Sequence, residues 1–304
     1  MSDRSLPLAM KEADLSRALP PAAREVWTVF RHELKHLFFS ARMAVPMIVY
    51  SGFGALSVLI FLKIQDFAEK RGLHPTKLGA DSEALGKLLQ SFKLGGVGTA
   101  AEILRDHVPM LMLYFFVLAS FFLPILVALV SFDQFSDLST RGARFALLRV
   151  RRETYFAGKS LASLASVAGF LFAMWLVVTV VAVHRASPED VTIALREGAR
   201  GWLLMCVQAL PYLALTALVS SFAKPGLAFV GTFGLWIVLW LADFFTRWLP
   251  EALQAPARAI FPSEHIAPLL SRWSPTLWSG VGALVAIAAV VYVLTALFVR
   301  VRDV

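Results

Sequence analysis

The chain has 304 residues, of which 58% are hydrophobic and 16% are charged, with a formal net charge of +8. Soluble globular domains are about 45–50% apolar and about 25% charged, so this composition excludes a soluble enzyme of the ordinary kind. The single cysteine, Cys206, excludes a disulfide within the chain and a metal cluster built on cysteines.

The first 42 residues are predicted to form a polar tail followed by an amphipathic helix. After Pro20, apolar side chains recur at three- and four-residue spacing, while basic side chains take the opposite face. Trp27 and the direct continuity with the first apolar run favour a helix that lies in the headgroup layer of a membrane. A helix packed on a partner domain is the alternative. The residues assigned to this interfacial helix are Trp27, Phe30, Arg31, Glu33, Leu34 and Phe38.

Charge-free stretches of about 17–25 residues predict six transmembrane helices. These stretches are 43–62, 108–132, 160–183, 201–223, 225–242 and 273–299. The predicted fold is therefore all-α, a polytopic protein whose six-helix transmembrane domain occupies residues 43–304. Because 42 residues with both acids and bases precede the first stretch, it is not predicted to be a signal peptide. Between the fourth and fifth spans, Lys224-Pro225-Gly226 predicts a tight hairpin.

The distribution of basic residues predicts the orientation of the spans. With six spans both termini share one side, and on that side the loop 133–159 carries six Lys and Arg residues. Short loops rich in these residues stay in the cytoplasm, so both termini of this multi-pass protein are predicted to be cytoplasmic. The net charge then reflects topology, and no nucleic acid is expected as a partner because no basic-aromatic platform appears outside the spans.

Two outer segments connect the spans. The segment 63–107 mixes both charge signs with a glycine-rich stretch, and no chemistry is assigned to it. The segment 243–272 is too apolar for a free loop and too interrupted by proline for a span, so short helices that dip into the outer interface are predicted there.

One run of residues carries an enzymatic signal. His32-Glu33-Leu34-Lys35-His36 is a literal H-E-x-x-H, which on a helix places two imidazoles on one face to bind zinc and leaves the glutamate as general base. A membrane zinc metalloprotease using His32, Glu33 and His36 is therefore an alternative reading. Such a site needs a third ligand, which would have to come from Glu153, Asp133 or Asp137 of the other cytoplasmic loop. It also needs a walled cavity, and no sizeable soluble domain is available to build one, so no metal site is predicted.

The spans themselves are poor in polar residues, with Gln208 the main exception. This weighs against an ion-coupled transporter, which uses ionisable groups at membrane depth. Aromatic residues are plentiful, and an aromatic wall would suit a hydrophobic substrate, although lipid contact or packing explains most of them. The residues assigned to a possible substrate path are Tyr114, Phe116, Phe229, Phe233 and Trp236.

In the loop 133–159 a charged run is followed by Gly142, by an apolar stretch that ends in Leu147 and Leu148, by Arg152 and by Lys159. This order and spacing resemble the cytoplasmic loop of ABC-2-type (type-2) ABC exporter permeases. In that family a charged run leads to a glycine, an apolar stretch ending in Leu-Leu, an arginine, and seven residues later a lysine that opens the third span. The loop lacks the family's proline between the Leu-Leu pair and the arginine, and its threonine after the glycine. The matching positions here are Gly142, Leu147, Leu148, Arg152 and Lys159.

Two further stretches agree with this resemblance. Residues 30–35 are similar to the family's amphipathic elbow helix, which explains the H-E-x-x-H run without a metal. Pro262-Ser263-Glu264-His265 resembles the P-x-x-H element before the last span in the branch that includes gliding-motility and nitrous-oxide-reductase-maturation permeases.

The resemblance implies a transport subunit that has no catalytic residue and no nucleotide site of its own. ATP and Mg²⁺ would belong to a cytoplasmic ABC ATPase, and the permease would form a homodimer, or a heterodimer with a sister permease, among membrane lipids. A non-transporting membrane scaffold of the same kind is a further alternative. The residues implied in coupling to the ATPase are Arg141, Gly142, Arg144, Phe145, Leu147, Leu148, Arg149, Arg151, Arg152 and Lys159.

Overall fold

The computed structural model describes residues 21–39, 41–70, 110–136, 151–185, 188, 190–270 and 274–301. Over these residues the chain is helical and contains no strand. The helices, with their bounds, are α1 (Pro21–Phe39), α2 (Ala41–Lys70), α3 (Met110–Ser131), α4 (Arg152–Arg185), α5 (Val191–Phe222), α6 (Pro225–Phe245), α7 (Glu251–Ala259), α8 (Ala267–Leu270) and α9 (Pro275–Val301).

Five helices, α3 to α6 and α9, are long and apolar enough to cross a membrane, which suggests a multi-pass membrane protein. They coincide with the second to sixth predicted spans. The first predicted span, 43–62, lies within α2, where the described apolar stretch Tyr50–Lys63 is shorter than a full span. Whether the first predicted span crosses the membrane, which would bring the number of crossings to six, therefore stays a prediction.

The bounds of three of the five long apolar helices differ from those predicted by more than two residues, and the first of these helices, α4, begins at Arg152, eight residues before the predicted start at 160. Helix α5 begins at Val191, ten residues before the predicted start at 201, and α6 continues past 242 to Phe245. The early part of α5 holds Glu197 and Arg200, whose carboxylate and guanidinium groups form an ion pair at 3.1 Å. Paired charges do not interrupt a helix, so the uncharged stretch begins later along the chain than the helix that contains it. The predicted hairpin is present, with α5 ending at Phe222 and α6 starting at Pro225.

Helix α5 lies at the centre of the bundle and packs against α3, α4, α6 and α9. Its alanines 209, 214 and 217 are fully buried and allow the neighbouring backbones to approach closely. Helix α2 packs on α3 and α4 at the side of the bundle, where the Tyr50 hydroxyl donates to the Phe122 carbonyl at 2.7 Å. In contrast, α6 and α9 expose most of their apolar surface, as expected of helices that face lipid.

The predicted short helices after α6 are present up to residue 270. A 3₁₀ turn (Thr246–Trp248), α7, a second 3₁₀ turn (Pro262–His265) and α8 follow one another. The Ser263 hydroxyl donates to Asp243 Oδ2 at 3.0 Å, and His265 Nε2 lies 2.9 Å from the Ala259 carbonyl oxygen. The P-x-x-H element therefore closes a turn that ties α7 to the end of α6.

A polar link joins α3 to α5 inside the apolar core. The Ser120 hydroxyl donates to Gln208 Oε1 at 3.0 Å, and Gln208 is fully buried. We expect Ser120→Ala to lower the free energy of unfolding by about 1 kcal/mol, because the buried amide oxygen loses its donor. Thermal unfolding in detergent would measure this loss. The control is Ser279→Ala, whose exposed hydroxyl bonds only within its own helix. Equal losses in the two variants would contradict the prediction.

Candidate functional site

The first turns of α4 lie directly against α1. A methyl group added at Gly158 would lie 2.7 Å from Val29 Cβ and 3.0 Å from the Val26 carbonyl oxygen. Only glycine permits an approach this close without displacement of the neighbouring helix. The sequence therefore positions α1 at a fixed place on α4. We call this contact, with the side chains around it, the α1–α4 junction.

An ion pair and a hydrogen bond cross the α1–α4 junction. Lys159 Nζ lies 3.4 Å from Glu33 Oε1, and the two side chains are only 5% and 22% exposed. The same ammonium group lies 5.1 Å from the centre of the Tyr155 ring, within cation–π range. Eight residues before Glu33, the Glu25 carboxylate accepts a hydrogen bond from the Thr154 hydroxyl at 3.0 Å. Eight residues are just over two helical turns, so both carboxylates face α4.

The ends of α3 and α9 complete the α1–α4 junction. The buried ring of Phe135, after α3, stacks on Phe156 of α4 with centroids 4.8 Å apart. Phe156 in turn meets the edge of Tyr292 on α9. Arg152 Nη1 donates to the Arg300 carbonyl at 3.2 Å. Four helices thus meet at the two described parts of the predicted coupling loop, 133–136 and 151–159.

Most of the predicted coupling residues lie outside the described residues. Of the remainder, Arg151 is exposed, Arg152 bonds to the end of α9, and Lys159 is buried in its ion pair. Lys159 is thus a buried partner of Glu33. The coupling residues outside the described range are Arg141, Gly142, Arg144, Phe145, Leu147, Leu148 and Arg149.

The H-E-x-x-H residues occupy different sides of α1. His32 and His36 are exposed, while Glu33 turns toward Lys159, which engages its carboxylate. Among the described residues, no group of three or more His, Cys, Asp or Glu side chains is placed to hold a metal ion. The geometry gives Glu33 a structural role in attaching α1 to α4.

The other residues assigned to the interfacial helix fall on α1 as well. Trp27 is 52% exposed and stacks on Phe30 at 5.3 Å, and Arg31 is exposed. Leu34 is half-buried, and the side chain of Phe38 lies outside the described residues.

The five aromatic residues assigned to a substrate path do not form one wall. Phe116 is buried in the core near the start of α3, and Tyr114 lies against Phe61 of α2, with ring centres 5.7 Å apart. Phe229 instead meets Phe132 beyond the other end of α3, sixteen residues or about 24 Å from Phe116. The remaining two, Phe233 and Trp236, contact each other on α6.

A second charged cluster, which the sequence analysis missed, lies near the start of α5. Glu197 is 7% exposed and pairs with Arg200 at 3.1 Å and with Arg196 at 3.4 Å. Arg200 also donates to the Leu269 carbonyl at 3.3 Å, which ties α5 to α8. The spacing Arg-Glu-x-x-Arg was the available signal, because residues three apart on a helix are neighbours.

No family model matches the chain, and no curated protein matches it either. Any proposal about its function therefore rests on the chain's own residues.

Proposed function

We propose that the chain is the permease subunit of an ATP-driven ABC exporter in the bacterial inner membrane, with both termini in the cytoplasm. The supporting observation is the ion pair between Glu33 and Lys159. The two residues belong to two separate stretches that resemble the family, the elbow helix and the lysine that follows the coupling loop. Their contact brings the two stretches together in space, which supports the proposal.

The α1–α4 junction suits the transmission of force. The predicted coupling loop, 133–159, contains Phe135, which is stacked on Phe156 of α4, and Arg152, which bonds to the end of α9. A push on the loop by a closing ATPase would therefore reach α3, α4 and α9 together. Because Glu33 and Lys159 hold α1 on α4, the interfacial helix would move with them.

In this proposal the permease itself binds no nucleotide. ATP and Mg²⁺ are held by the cytoplasmic ATPase, and the permease pairs with a second copy or with a sister subunit. The exposed apolar surfaces of α6 and α9 provide area for lipid and for such a neighbour. The substrate would pass along the interface between the two permeases, near α3 and α6.

Affinity purification in mild detergent tests the proposal. We expect a soluble P-loop ATPase to co-elute with the chain in about equal amount, and to be lost when Phe145→Ala and Arg144→Glu are combined. The matched control combines Trp248→Ala and Arg258→Glu, an exposed aromatic residue and an arginine on the segment after α6.

The two variants give distinct outcomes. An ATPase that survives the loop variant would show that the loop is not the docking site. A chain that purifies alone would overturn the permease proposal, and the zinc content of the same sample would then test the metalloprotease alternative. If the ATPase co-elutes, ATP-dependent flux in vesicles separates an exporter from a scaffold.

A further inference from the structure

Helix α1 carries two histidines that the proposed function does not use. His32 and His36 are both exposed, and they lie four residues apart within the uninterrupted helix Pro21–Phe39. Residues at this spacing are neighbours on the surface of a helix, with Cβ atoms about 5–6 Å apart. Two imidazoles on consecutive turns can therefore hold one metal ion between them, as the two histidines of a helical H-E-x-x-H zinc site do.

The glutamate of the same run is committed to another contact. The Glu33 carboxylate lies 3.4 Å from Lys159 Nζ, on the side of α1 that faces α4. In a zinc protease this glutamate acts as the general base on a metal-bound water. Because Glu33 is engaged by Lys159, the two exposed histidines favour reversible binding of a metal ion and not catalysis.

The helix that presents the histidines is already held in place. On the side that faces α4, Glu25 accepts a hydrogen bond from Thr154, and Glu33 pairs with Lys159. These contacts order α1 without any metal ion. Binding at His32 and His36 therefore requires little further ordering of the backbone, which favours affinity.

The chemistry of the two side chains determines the class of metal. Imidazole nitrogen is a good ligand for zinc, nickel and copper, whereas magnesium and calcium prefer oxygen ligands. The exposed ammonium group of Lys35, which precedes His36, lies close to any ion bound there. Its positive charge opposes a divalent cation and lowers the affinity of the pair.

We propose that His32 and His36 bind a divalent transition-metal ion on the exposed side of α1. Each imidazole contributes one ring nitrogen, and water occupies the remaining coordination positions. Binding requires the chain alone, so this proposal stands apart from the ATPase and from the proposed function.

Isothermal titration of Zn²⁺ into the full chain, purified in neutral detergent through a tag without histidine, tests the proposal. We expect saturable binding that Mg²⁺ does not displace. His32→Gln or His36→Gln should each weaken it by about tenfold or more, because the remaining imidazole loses its partner in holding the ion. The matched control is His184→Gln, which alters an exposed histidine near the end of α4 and should leave binding unchanged.

Two further variants test the geometry of the pair. Thr28 is exposed on α1, so Thr28→His combined with His36→Gln places histidines at 28 and 32 and restores the four-residue spacing. This double variant should regain most of the affinity lost in His36→Gln. Lys35→Gln removes the neighbouring positive charge and should bind zinc several-fold more tightly.

Three results would overturn the proposal. Zinc binding that persists unchanged in the double variant H32Q/H36Q would place the ion elsewhere on the chain. Failure of T28H/H36Q to regain affinity would show that the spacing of the two imidazoles does not matter. Proteolysis that depends on zinc and is lost in Glu33→Gln would identify a catalytic site, as in the metalloprotease alternative, in place of a site that only binds.

Discussion

Replacing Lys159 with glutamate (K159E) is expected to detach α1 from α4. Its side chain is almost wholly buried against Glu33, so the substitution brings two carboxylates together where one ion pair lay. Breaking a buried pair from one side costs about 3–5 kcal/mol, because it leaves a charge without compensation. A loss of that size raises the detached fraction of α1 by about 100-fold or more.

Limited digestion with chymotrypsin would measure the detachment. Trp27 and Phe30 provide cleavage sites within α1, and neither is altered by the substitutions. The rate of cleavage there should rise strongly in K159E. It should fall most of the way back to the rate of the unaltered chain in the double variant E33K/K159E, which restores a pair of opposite charges. Lys224→Glu, the same substitution at an exposed lysine of the α5–α6 hairpin, should leave the rate unchanged.

Two results would contradict this account of the α1–α4 junction. If K159E resists digestion as well as the unaltered chain does, the ion pair does not hold α1. If the double variant is cleaved as fast as K159E, the two residues act independently. Under the proposed function, K159E should also uncouple ATP hydrolysis from transport, since α1 would no longer move with α4.

Much of the helical architecture could be predicted from the sequence, because uncharged runs of sufficient length have few folds available to them. The second to sixth spans, the Lys224-Pro225-Gly226 hairpin and the short helices after α6 follow from local composition. The start of α5 could not be found this way. A scan by residue type treats Glu197 and Arg200 as two separate charges, whereas the helix brings them together as an ion pair.

The contacts of the candidate site were harder to predict, because they join elements that are distant in sequence. Apolar spacing on α1 predicted a face that includes Phe30 and Leu34. The contact with α4 instead uses Glu25, Val29 and Glu33, which follow one another at four-residue spacing. This stripe is visible in the sequence, but its partners Thr154 and Lys159 are identified only by the packing of the two helices.

Replacing Gly201 with alanine is expected to lower the free energy of unfolding of the bundle. The added methyl group would lie within the volume of the Trp175 ring, against its Cη2, Cζ2 and Cζ3 atoms. The ring is 3% exposed and packs edge-on against the buried Phe115 at 5.2 Å, and a cavity of about 50 Å³ that Trp175 and Gly201 line leaves it limited room to shift. Overpacking of a core costs about 1–3 kcal/mol, so we expect a loss of about 2 kcal/mol.

Thermal unfolding in detergent, followed by circular dichroism, would measure this loss. The matched control is Gly234→Ala in α6, where a methyl group meets nothing within 4 Å. There the substitution should be neutral or stabilising by up to about 1 kcal/mol, because alanine favours the helix over glycine. Similar losses at both positions would show that glycine at 201 serves backbone flexibility and not the packing of the ring.

A second substitution separates the steric cause from all others. Trp175→Phe removes the outer ring atoms that the methyl group of Gly201→Ala would strike. Alone, it should be destabilising, since it leaves a cavity beside Phe115. Added to Gly201→Ala, it should restore stability, because the methyl group then fills space that the smaller ring has vacated. The effect of Trp175→Phe thus changes sign with its background, as expected of two side chains that compete for the same space. Additive losses in the double variant would contradict the packing of Trp175 over Gly201.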